Sequence, residues 1–204
     1  MTRFVLASAS PGRLATLHAA GIEPEVVVSS VDESEFRANT VADLVEQLAI
    51  AKAVDVAGRT DAGALVLGCD SLLDLDGRAV GKLATSQAAI EQWQAIRGRR
   101  AVLRTGHALI DTARDEARSA VASTTVSFAP VTDAEITAYV GTGEPLRCAG
   151  GFTIDGLGGW FIEGVGGDHH NVVGLSLPTL RSMLLELGYQ LTDLGYPAGS
   201  KPIR

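Results

Sequence analysis

Apolar and polar positions along the chain fall into blocks whose spacing predicts strands and helices in turn. Phe4-Val5-Leu6-Ala7 is a continuous apolar run, as in a strand buried on both faces. Ser10 then offers an N-cap and Pro11 a first helical residue, so a helix is predicted from about Pro11 to Ala20, stopping at Gly21. Glu25 to Ser29 reads as a second strand. Thr40 and Asp43 make the weaker, Asp form of a capping pair and open a helix that ends near Gly58. Ala64 to Gly68 is a third apolar run, short enough for a central strand.

Leu72 to Val80 carries Asp76-Gly77 between two short strand-like pieces, a hairpin signal. Ser86 to Ile96 is helical and stops at Gly98. Two long alternating segments, about Ala101 to Asp111 and Glu116 to Phe128, read as paired antiparallel strands. Thr132-Asp133-Ala134-Glu135 is a full capping box for another helix. A glycine-rich section from Gly141 to Gly174 leads to a last helix after Pro178, ended by Gly188. Strand–helix alternation interrupted by hairpins predicts an α/β fold with a mixed sheet. Residues 1–194 read as a single domain and 195–204, with Pro197, Gly199 and Pro202, as a flexible tail.

Composition narrows the function. Apolar residues make up 46% and charged residues 20%, as in an ordinary folded domain. Net charge is −7 and no basic tract exceeds Arg99-Arg100, so a nucleic-acid polymer is not an expected partner. No run approaches the roughly 20 apolar residues of a membrane span. Cys69 and Cys148 lie in no metal-ligand spacing and read as free thiols in a reducing compartment, so the cytoplasm is expected.

Several residues carry candidate chemistry. Ser8-Ala9-Ser10-Pro11-Gly12-Arg13 runs from a strand into a helix N-terminus, where free amides, the helix dipole, two hydroxyls and Arg13 suit a small anion such as phosphate. The same segment also serves as a plain capped helix start. Lys52 lies about 20° around the helix from Val41, inside the stripe of Val41, Leu44, Val45, Leu48 and Val56. A lysine there must snorkel out or reach an anion, because an unpaired buried ammonium is costly. Asp70 follows the apolar run 64–69 and is expected at the carboxyl end of a central strand, where open α/β sheets bind ligands. Glu33, in an acidic loop, and Lys82, after the hairpin, say little alone. His169 and His170 read as surface or loop residues.

Taken in order, these segments resemble the Maf-type nucleoside triphosphate pyrophosphatases. The resemblance rests on Leu6 to Arg13, Val31-Asp32-Glu33, Ala51-Lys52-Ala53, Gly68-Cys69-Asp70-Ser71 and Gly81-Lys82. It continues through Thr142 to Pro145, Ala149 to Phe152 and Asn171 to Leu175, and covers Leu6 to about Gly188. It implies a mixed twisted sheet flanked by helices, with two lobes around a nucleotide cleft, a homodimer, and a divalent cation, Mg²⁺ or Mn²⁺. In that reading Asp70 is the proton acceptor, Glu33 and Asp70 hold the metal, and Lys52 and Lys82 contact phosphates. Ser8, Ser10, Gly12, Arg13, Ser71 and Asp155 bind substrate. The implied reaction takes a nucleoside triphosphate to the monophosphate and pyrophosphate; the alternative is a nucleotide-binding regulator of cell division with little turnover.

The chain departs from the family pattern in places. Gly12 stands where an arginine is usual, Arg147-Cys148 where Asp-Lys is usual, and Ala101 where a histidine is common. Gly12, Ser71 and Asp155 occupy positions linked in the family with base choice, and none matches the Arg, Thr and Gln of the pyrimidine-preferring branch. An ionised Asp155 only accepts hydrogen bonds, so no strong preference for dTTP or UTP is expected.

Overall fold

The computed structural model describes residues 2–196; the expected tail lies outside the described residues from 197 onward. The chain runs β1 (Arg3–Ala7), α1 (Pro11–Ala19), β2 (Glu25–Val26), α2 (Val41–Ala57), β3 (Ala64–Leu75), β4 (Arg78–Val80), α3 (Ser86–Ile96), β5 (Arg100–Asp111), β6 (Glu116–Phe128), α4 (Asp133–Gly141), β7 (Ile162–Gly166), α5 (His169–Val173) and α6 (Leu177–Glu186). The helix starts follow their caps. Side-chain oxygens of Ser10, Thr40 and Thr132 accept from the amides three residues on, and Glu135 completes the capping box with Thr132.

The strands form one mixed sheet in the order β2-β1-β3-β5-β6-β7, with β4 also on β3. β1 is parallel to β3, and β5 is antiparallel to both β3 and β6. Along the long strands β3, β5 and β6 the side chains alternate between two faces. One face carries Cys69, Ser71, Leu73, Leu103, Thr105, His107 and Leu109, and packs on helices throughout. It holds two apolar cores. The first gathers Leu6, Leu17, Leu67, Leu109 and Leu180 under α1 and α6. The second gathers Leu73, Trp93, Leu103, Phe128 and Tyr139 under α3 and α4. The fold therefore has two lobes sharing three strands, and polar buried residues, among them Thr105, His107 and Asn171, lie between the cores.

The other face carries Gly68, Asp70, Leu72, Arg104 and Gly106. Among the described residues α2 is the helix that covers it, in the first lobe, and two glycines set how closely. A Cβ on Gly68 would lie 2.3 Å from the Ala49 carbonyl oxygen, and one on Gly106 2.0 Å from that of Val45. Both contacts are impossible, so the helix backbone rests directly on the strands.

The structure corrects several expectations. β3 does not stop near Gly68 but runs to Leu75, so Asp70 is mid-strand and the first arm of the hairpin belongs to β3. The run is legible only in part because Asp70, Ser71 and Asp74 interrupt its apolar pattern. β2 is two residues long rather than five; past Val26 the chain turns toward α2, where Ser30 bonds Asp55. The glycine-rich section contains β7 and α5 as well as short 3-10 turns. His169 and His170 open α5 and are exposed.

Candidate active site

The long β5 pairs with β3 from Leu65 to Asp74 on one edge, so β1 and β4 share the other. β1 reaches only Gly68 and β4 only Leu73, leaving Cys69 to Leu72 without a partner strand on that edge. Both flanking strands point their carboxyl ends into the gap. Ser8 to Arg13 follow β1, and Gly81-Lys82 follow β4. This is a local equivalent of the strand-end crevice in which open α/β sheets bind ligands. Asp70 is thus beside the carboxyl end of β1, not at the end of its own strand.

Asp70 faces α2. Its side chain is buried, and Lys52 Nζ donates to its Oδ1 at 2.5 Å. The same ammonium stands 2.6 Å from Glu33 Oε1, so two carboxylates converge on one cation. Lys52 keeps its place in the apolar stripe of α2 and does not snorkel: its side chain is 10% exposed. Glu33 reaches it from a 3-10 turn, Glu33–Glu35, capped by Asp32, whose Oδ1 accepts from the Ser34 amide at 2.9 Å. Burial pushes the Asp70 carboxyl above its usual range, and the Lys52 and Arg13 charges oppose that rise without cancelling it.

Arg13 lies on the other side of the gap and is also buried. Its Nε donates to the Gly174 carbonyl at 2.8 Å, Nη1 to Ser8 Oγ at 2.9 Å, and Nη2 to Ser71 Oγ at 3.0 Å. The guanidinium bolts the start of α1 to β3 and to the turn after α5, and its partners are all neutral. Ser71 faces away from Asp70 and shares a second hydrogen bond with Thr105 Oγ1 at 2.9 Å. Ser10 Oγ caps α1, accepting from the Arg13 amide. Gly12 packs against α5: a Cβ there would meet the Val173 carbonyl oxygen at 3.1 Å.

Lys82 and Asp155 belong to the second lobe, and no hydrogen bond or ion pair among the described residues ties them to Asp70. Lys82 is exposed just past β4, where the Gly81 carbonyl accepts from the Gly150 amide at 3.0 Å. Asp155 accepts from Thr153 Oγ1 in an exposed loop. Glu144 anchors that loop, accepting from the Leu157 and Gly158 amides and from the Tyr139 hydroxyl. The charges of Lys82 and Asp155 both act on the half-buried Cys148, so the two share one neighbourhood.

Sequence reasoning missed the buried support of the gap. His107 Nε2 accepts from the Ser176 amide at 2.9 Å, and Nδ1 therefore carries the proton it offers to the Thr105 carbonyl at 3.1 Å. Burial pulls this imidazole down to about 4, so it is neutral near pH 7. Asn171 Nδ2 donates to the Leu103 carbonyl and to Thr124 Oγ1, tying α5 to both strands. The polar cluster Arg104-Thr105-Gly106-His107, inside an otherwise buried strand, was the available signal.

An α/β fold with a helix N-terminus, two converging carboxylates and a buried lysine around one open strand edge defines a protein built to hold a charged small molecule. Residues 3–187 match the family model described as Maf-like protein, and the chain belongs to that family. A relative from Streptomyces avermitilis named nucleoside triphosphate pyrophosphatase is 54% identical over 196 residues, 96% of this chain and 95% of its own. One of the same name from Thermosynechococcus vestitus is 53% identical over 194 residues, 95% of this chain and 98% of its own. A solved nucleoside-triphosphatase / dITP/XTP pyrophosphatase from Mycobacterium abscessus is similar over 63% of this chain and 75% of that one, with 20% identity and a TM-score of 0.41.

Proposed function

We propose that this chain hydrolyses nucleoside triphosphates to the monophosphate and pyrophosphate, with a divalent cation, Mg²⁺ or Mn²⁺, held by Glu33 and Asp70. The observation that carries the reading is the convergence of those two carboxylates on the single Lys52 ammonium, at the open edge of β3. Hard cations such as Mg²⁺ are commonly held by one or two carboxylates together with substrate phosphates, and this donor set fits that pattern. Among the described residues no group of three or more His, Cys, Asp or Glu side chains forms a metal cage, so a cation held here would draw its other ligands from substrate phosphate and water. When bound, the cation supplies neutralisation of the phosphate charge that builds during displacement.

The chain's own residues do the rest. Asp70, ionised, orients a water for attack on the α-phosphorus and accepts its proton. Lys52 keeps that carboxylate charged against its desolvation and meets phosphate oxygens as the substrate enters. Ser8, Ser10 and the first-turn amides of α1 offer donors to phosphate. Lys82, across the gap, attracts the leaving pyrophosphate. Arg13 contributes its field and holds the cradle in shape. The same reading takes the protein as a cytoplasmic homodimer acting on free nucleotides, not on nucleic-acid polymers or membranes; no helix among the described residues is long and apolar enough to cross a membrane. A panel of nucleoside triphosphates with Mg²⁺ or Mn²⁺, with pyrophosphate and orthophosphate measured separately, tests it. Orthophosphate as the primary product, or no turnover with any triphosphate, would refute it.

A further inference from the structure

The open part of the sheet carries a cation that the reading above leaves unused. Arg104 stands opposite Leu72, two pairing rows beyond Gly106 and Asp70, so it shares a face with Asp70. With strands about 4.8 Å apart and a rise of about 3.4 Å per residue, the two Cα atoms are about 8 Å apart. Gly106 has no side chain and lies under α2, so Arg104 is the first β5 side chain on this face beyond the helix. Leu72, Val102 and Thr125 around it are partly exposed and join no apolar core.

The guanidinium is fixed in orientation but not used up. Nε donates to Asp74 Oδ2 at 2.8 Å and Nη1 to Ser123 Oγ at 3.0 Å. Asp74 is itself held, its Oδ1 accepting from the Gly77 amide at 2.8 Å. Nη2 donates to no group among the described residues, and the side chain is 28% exposed.

We propose that Arg104 is a substrate-binding residue, its free guanidinium edge taking phosphate oxygens of the nucleoside triphosphate on the Asp70 face of the sheet. The inference rests on the pyrophosphatase reading. In that reading Lys52 and the cation held by Glu33 and Asp70 would draw the phosphates to this face, whereas every nitrogen of Arg13 already donates to Ser8, Ser71 or Gly174. A planar fork held in advance by Asp74 and Ser123 loses little freedom on binding and matches phosphate geometry. Because the contact is to phosphate, it serves every base equally.

The test compares full-length wild type with Arg104→Met, Arg104→Gln and Arg104→Lys. Binding of inorganic tripolyphosphate is read by calorimetry, kcat/KM for a panel of triphosphates by pyrophosphate release, and folding by circular dichroism. Arg104→Met should weaken tripolyphosphate binding by about 10- to 100-fold, the range of a lost charged hydrogen bond. kcat/KM should fall by a similar factor with every base, and Arg104→Lys should recover part of the loss. If Arg104→Met does not fold, Arg104→Gln, which keeps an amide donor for Asp74, is read in the same way. Unchanged tripolyphosphate binding in a folded neutral variant overturns the proposal. So does a loss confined to particular bases with tripolyphosphate binding intact, which would make Arg104 a base contact. Wild type that binds tripolyphosphate but turns over no triphosphate refutes the hydrolytic reading alone, and the binding constants still decide Arg104.

Discussion

Replacing Asp70 by Asn separates the chemistry of the site from its architecture. The amide is isosteric and removes only the charge and the proton-accepting oxygen. A positioned general base contributes about 10²- to 10⁴-fold, equivalent to about 3–5 kcal/mol of transition-state stabilisation, and kcat should fall by at least that factor. Stability should move little. The ionised carboxyl is buried and held above its usual range, so its charge is a cost to the folded state above that pKa. Against this, Lys52 loses one partner but retains Glu33 at 2.6 Å, so no ammonium is left unpaired. The assay is pyrophosphate release across pH together with thermal melting at pH 7. In wild type kcat/KM should fall on the acid side, because Asp70 must be ionised to act. In Asp70→Asn that acid limb should vanish with the rate, and the melting temperature should stay within a few degrees of wild type. Turnover near the wild-type level would show that Asp70 serves only to anchor Lys52.

Excess chelator should abolish activity, and added Mg²⁺ or Mn²⁺ should restore it; full pyrophosphate release in chelator would remove the cation from the reading. Gly106→Ala should cost about 1–3 kcal/mol or more in a denaturant titration, since its Cβ would enter the Val45 carbonyl, and the displaced α2 should carry activity down with it. A Gly106→Ala protein with wild-type stability and rate would contradict the close seating of the helix. His107, neutral in the fold, confers stability that is complete above about pH 6.5 and lost as pH falls toward about 4, where it protonates in the folded state. That drop is equivalent to roughly 3 kcal/mol, so His107→Gln should flatten the stability–pH curve between those values; an unchanged slope would count against it. Competition between triphosphates should show less than a tenfold preference for dTTP or UTP, and a larger one would mean that Gly12 and Asp155 have been misread.

Local signals fixed most elements because their causes are local. Ser10-Pro11, Thr40 and the Thr132–Glu135 box place three helix starts through hydrogen bonds that span only three residues. The misplaced Lys52 was legible for the same reason: the period of one helix sets the burial of each of its residues. β7 and α5 were not legible, since each is five residues long and held mainly by pairing with β6 and by Asn171 reaching Leu103 and Thr124. The length of β3 was hidden because its polar residues are those that the site requires.

The sequence by itself determined the α/β alternation, the capped strand-to-helix turn at Ser8 to Arg13, and the need of Lys52 and Asp70 for partners of opposite charge. It also marked Glu33 and Lys82, though only through resemblance to a family. Tertiary structure alone decided that Lys52 pairs with both Asp70 and Glu33, that Arg13 is occupied by Ser8, Ser71 and Gly174, and that Arg104 shares a face with Asp70. Apart from Arg13 with Ser8, five positions apart, these pairings join residues 18 to 161 positions apart. Their geometry comes from strand register and from two glycines that let a helix lie against the sheet, and neither is encoded in the neighbourhood of the residues it brings together.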